Sequence, residues 1–137
     1  MSGKCGIISI SGNTTRKGKQ MSDKAKGLFI GVDGTVETRE FTVGESYEVI
    51  RNAVNGWIEC AVVGAEIDLW LNEEGKLIGL EPNRIATQLF WDKYGIGSDI
   101  IVGDVFLTSN DGQGETTGLT DKQVEFLKDS GLASRLS

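Results

Sequence analysis

The spacing of apolar residues divides the chain into short, well-punctuated elements. Residues 28–32 and 36–42 are rich in β-branched and aromatic side chains. Asp33-Gly34 lies between them, and Asp-Gly favours a tight hairpin turn because both central positions take positive φ. In residues 45–54, Tyr47, Ile50 and Val54 recur at helical spacing. Asn55-Gly56 closes that helix, since both residues tolerate the left-handed cap conformation. A strand follows over 57–63. Ile67, Leu69 and Leu71 then alternate with Asp68 and Trp70, the period of a strand with one buried face.

The second half begins with a turn at 72–75, from which residues 76–80 are expected to return as a short strand. Pro82 cannot donate to a sheet ladder and disfavours helix at Glu81, but a helix can start just beyond it. Asn83 is the expected N-cap, Ile85, Ala86, Leu89, Phe90 and Tyr94 the buried stripe, and Gly95 and Gly97 the stop. Residues 99–109 read as one long strand, and Ile100-Ile101-Val102, apolar on both faces, marks it as central. Residues 110–118 form a Gly-rich loop. Thr120 and Gln123 then supply a capping box and Leu119 and Val124 a hydrophobic staple, with Gly131 placed to end the helix. The fold class is α+β: mainly antiparallel strands with about three helices in a single domain over 26–131. Residues 1–25 form a basic arm or an extra strand (5–11) followed by a polar loop (12–20), and 132–137 form a tail.

Composition narrows the chemistry. At 137 residues, 39% hydrophobic and 25% charged, the chain can bury one core. It has no histidine. That removes Ser-His-Asp, Cys-His and HExxH machinery and argues against an enzyme. The two cysteines, Cys5 and Cys60, form no CxxC pair and read as inert thiols. No apolar run is long enough for a bilayer, and no signal-peptide pattern is present, so a cytoplasmic location is expected. The net charge of −6 is uneven. Residues 1–24 carry five basic groups and one acidic group, and the rest carry nine basic and nineteen acidic. The acidic body repels phosphate backbones, leaving the arm at 1–24 as the one segment suited to nucleic acid.

Five residues are the candidate binding set. Asn83 and Arg84 sit together at a structural junction, where the Arg fork suits an anion. Trp91 and Lys93 lie near the end of the same helix, and Trp70 and Trp91 are read as the exposed rings, the kind of side chain that anchors interfaces. Asp68, Glu73, Glu74 and Glu81 match no metal loop, and Gly112-Gln-Gly114 lacks the context of a phosphate loop, so neither metal nor cofactor is expected.

Four segments occur in a distinctive order: Val54-Asn-Gly-Trp-Ile-Glu-Cys-Ala-Val-Val63, Leu71-Asn-Glu-Glu-Gly-Lys-Leu-Ile-Gly-Leu-Glu-Pro-Asn83, Asp99-Ile-Ile-Val-Gly-Asp-Val-Phe-Leu107 and Leu119-Thr-Asp-Lys-Gln-Val124. Together they resemble a family of small proteins of unknown function carried by bacteriophages and mobile elements. Its members show a GGYIE step, an NEEGKLxGLPPN turn, a DxIVGxxxL strand and an LTDEQ helix. This chain departs from the pattern at Asn55, Trp57 and Glu81, and residues 1–24 are additional to it. The resemblance implies a phage or mobile-element origin and no particular reaction. The expected function is a non-enzymatic phage accessory protein that binds a host protein in the host cytoplasm, for takeover or counter-defence. Sequestration of a small anionic signalling nucleotide and a virion or structural role are the alternatives, and a homo-oligomer is compatible with each. No membrane association is expected.

Overall fold

The computed structural model describes residues 24–64, 66–112 and 115–129. The expectations for the N-terminal arm, Gly131 and the tail lie outside these residues. Six strands and three helices form one antiparallel sheet with helices on both faces, the expected α+β class. In chain order they are β1 (Lys24–Ile30), β2 (Val36–Thr42), α1 (Ser46–Val54), β3 (Ile58–Gly64), β4 (Ile67–Asn72), α2 (Arg84–Tyr94), β5 (Val105–Asn110), β6 (Thr116–Thr117) and α3 (Asp121–Leu127). The sheet order is β2-β1-β5-β4-β3. β6 pairs with Ser109 and Asn110, beyond the point where β1 leaves β5.

All six residues of β5 are buried, because this central strand meets a core on each side. On one face Val105 and Leu107 pack with Leu28, Ile30, Ile67 and Leu69 beneath Ile85, Ala86 and Leu89 of α2 and Leu127 of α3. On the other face Phe106 packs with Ala25, Phe41 and Trp70 beneath Ile50 and Ala53 of α1. The rings of Phe41 and Phe106 meet edge to face at 6.0 Å, the arrangement that the aromatic quadrupole favours.

Local signals set several boundaries. Asn55 takes φ 62° and ends α1. Thr120 and Gln123 make both bonds of the capping box, and Leu119 and Val124 share the α2 face of the core.

Four expectations are corrected. The β1–β2 connection is a five-residue loop, with Ile30 opposite Val36. Gly34 takes the positive φ, while Asp33 accepts a hydrogen bond from the Thr35 N–H at 3.0 Å. Residues 76–79 form turns, and Leu80 belongs to no strand. β4 is already paired with β3 on one edge and β5 on the other, so a returning strand has no edge to join. The long strand over 99–109 begins only at Val105, because Gly103 turns the chain at φ 82°. Before that turn the segment pairs locally with 81–83: Val102 bridges Pro82, and Asn83 N–H donates to Ile101 O at 2.7 Å. Finally, β4 is buried on both faces rather than one. Trp70 therefore lies in the core, where its indole N–H donates to Thr108 Oγ1 at 2.9 Å. Asp68 is fully buried on the same face and accepts from Asn110 Nδ2. A two-residue alternation cannot reveal that α1 folds back over the polar positions.

Candidate interaction groove

An open groove of about 590 Å³ lies at the β3 end of the sheet, within the range of ~300–1,000 Å³ common for ligand sites. One wall is β3, the other the C-terminal half of α2. The turn after β4 and the segment before β5 close its ends. Leu71, Phe90, Ile101 and Val102 give it an apolar lining, and Glu59, Glu73, Lys76, Tyr94 and Asp99 supply polar groups.

The turn is held from below. Asn72 Nδ2 donates to the carbonyls of Val54 and Asn55 at the end of α1, and its Oδ1 accepts from the Glu74 N–H at 2.8 Å. Backbone bonds from Gly75 N to Asn72 O and from Leu80 N to Gly75 O complete the turn. Gly75 is required here, since a Cβ would lie 2.9 Å from Val102 Cγ2.

The opposite wall is pinned at Tyr94, whose hydroxyl donates to Val62 O on β3 at 2.7 Å. Its ring stacks obliquely on Phe90 at 4.5 Å. Trp91 Nε1 donates to Asp99 O at 2.5 Å, fixing the segment after α2. Asp99 ties the two ends together, because its carboxylate pairs with Lys76 and also accepts from the Ile100 N–H at 2.8 Å. The Lys76 hydrogen bond, followed by the Ile100 N–H, lowers the Asp99 carboxyl from its ordinary value of 3.8 and so favours the charged form of the pair.

These two tied segments carry exposed apolar side chains. Leu77 is 86% exposed and Ile96 87%, with Ile78, Tyr94 and Ile100 also exposed. They account for five of the seven large exposed hydrophobics among the described residues; Trp57 and Phe126 are the others. Such a concentration at one place is uncommon on a surface that meets only water.

The five sequence-derived candidates do not converge. Asn83 is fully buried and caps α2, its Oδ1 accepting from Ala86 N at 3.0 Å. Its Nδ2 donates to Ile30 O at 3.0 Å and to Gly103 O at 2.9 Å. Arg84 is exposed beside it, about two helical turns (~10 Å) from Trp91. Lys93 is exposed on the last turn of α2. Trp70 belongs to the core on the α1 side of the sheet. Trp91 bonds to a groove segment through its side chain, at Asp99 O, and Asn83 through its backbone N–H, at Ile101 O. Sequence reading passed over Leu77, Ile96, Lys76 and Asp99, and it placed Tyr94 in the buried stripe of α2, whereas Tyr94 sits at the end of the helix and is exposed. One signal was available, since Gly95-Ile96-Gly97 holds a large apolar residue in a turn that does not need one.

Cys60, read above as an inert thiol, is disulfide-bonded; two isolated cysteines carry no spacing that distinguishes the states. Among the described residues no cluster of His, Cys, Asp and Glu suits a metal ion, and no helix is long and apolar enough to cross a membrane.

Fold and groove define a small α+β domain with a solvent-open apolar cleft at one end of its sheet. The chain belongs to DUF3846, a family of domains of unknown function, whose pattern matches residues 25–131. No curated protein and no solved structure shows a significant match.

Proposed function

We propose that this protein is a non-enzymatic accessory protein of a bacteriophage that binds a host protein through the groove, for takeover or counter-defence. The observation that carries the reading is the cleft lined by exposed Tyr94 and Ile100, flanked in sequence by exposed Leu77, Ile78 and Ile96 on the two segments that the Lys76–Asp99 pair ties together. Burying such side chains drives association, and a few large anchors commonly dominate the affinity of an interface. The Lys76–Asp99 pair and the Tyr94 and Trp91 bonds pre-organise the two segments, which lowers the ordering cost of binding. The phage assignment rests on the order of the four sequence segments.

Affinity purification of the tagged protein from bacterial lysate, beside a Leu77→Ser/Ile96→Ser variant, tests this. The native protein is expected to retain a stoichiometric host protein, and the variant to retain at least about tenfold less, with an unchanged melting curve because both side chains are solvent-exposed. A partner held equally by both proteins, or no stoichiometric partner, would overturn the reading.

A further inference from the structure

We infer that the segment seated in the groove combines large apolar side chains with lysine or arginine. The inference rests on the groove being a protein-binding site and adds the chemistry of its partner. The lining is apolar at Leu71, Phe90, Ile101 and Val102. Among its four charged groups, Lys76 and Asp99 neutralise one another. That leaves Glu59 and Glu73, both exposed, and neither carboxylate has a hydrogen-bond or ion-pair partner among the described residues. Among the described residues the groove therefore presents two negative charges without a partner, beside apolar surface.

This combination selects among occupants. An anionic ligand would meet like charge on entry, and a nucleic-acid backbone would be repelled for the same reason. A second copy of the chain, docked groove to groove, would oppose its own Glu59 and Glu73 to ours, a juxtaposition that costs affinity. A polypeptide with apolar anchors and a flanking cation satisfies both halves: the anchors cover the lining and the exposed rim of Leu77 and Ile96, and the cation faces the carboxylates. Exposed pairs of this kind steer encounter and specify the partner more than they add affinity, and salt weakens them.

Selection of random dodecapeptides displayed on particles against the full chain tests this. The Leu77→Ser/Ile96→Ser protein serves as counter-target. Peptides that need the native rim are expected to be enriched in large apolar residues together with Lys and Arg. A synthetic peptide from that pool should bind about three- to tenfold more weakly to a Glu59→Gln/Glu73→Gln variant at low salt, with the difference shrinking as salt rises. Rim-dependent peptides without basic enrichment, or with affinity indifferent to the double Gln change, would overturn the inference while leaving the groove as a binding site. A selection that yields no rim-dependent peptide would overturn both. Both Glu side chains are exposed, so their replacement is not expected to disturb folding.

Discussion

Replacing Gly27 by alanine is expected to lower stability by about 3 kcal/mol, near the top of the usual range for overpacking a filled core. Gly27 lies in β1 where the strand crosses Phe106. An added Cβ would sit 2.4 Å from Phe106 Cε2, 2.5 Å from Cζ and 2.9 Å from the Leu107 carbonyl oxygen. The ring cannot simply swing aside, because Phe106 is fully buried and packed against Phe41. Nor can the carbonyl, because Leu107 pairs with Leu28 in the ladder that joins β1 to the centre of the sheet. Urea denaturation should show a large fall in midpoint for Gly27→Ala. Adding Phe106→Leu should cost less than the two single changes summed, since a smaller side chain relieves the same clash. Simple additivity, or a midpoint equal to that of the native protein, would refute the packing.

Asn83→Ala is expected to cost about as much, roughly 3 kcal/mol, from a lost N-cap of ~1 kcal/mol and two buried carbonyls left short of a donor. The same amide group caps α2 through Ala86 and holds the end of β1 through Ile30 O and the turn before β5 through Gly103 O. Asn83→Asp should not rescue it. A carboxylate can still accept from Ala86 N–H, but it cannot donate to either carbonyl and places a charge in a fully buried position. If Asp restored the native urea midpoint, the two donated bonds would be of no consequence, and the role assigned to Asn83 would fail.

Asn83 also shows how far a sequence can be read. Its capping role is local, set by Pro82 before it and an apolar stripe after it, and was legible. Its bonds to Ile30 and Gly103 span 53 and 20 positions, and no local pattern announces them. The same division holds elsewhere. The capping box of Thr120 and Gln123 is complete within four residues and was readable. The environment of Trp70 depends on α1 crossing a face of the sheet, and the absence of a strand at 76–80 depends on β3 and β5 having taken both edges of β4. Those facts follow from strand order, which alternation of polar and apolar residues does not encode. The groove was missed for a related reason. Its walls come from β3, α2 and two connecting turns, and its exposed apolar residues look like unremarkable loop positions until Lys76 and Asp99 bring the turns together.

The central claim is that this protein binds its partner with the groove face rather than with any other part of its surface. Photo-crosslinking from single sites tests that most directly. A benzoylphenylalanine placed at position 96 or 77, on the groove rim, should crosslink the host protein that co-purifies with the native chain. The same group at Lys122, an exposed position of α3 outside the groove lining, should not. Crosslinks from Lys122 with none from positions 96 and 77 would contradict the account.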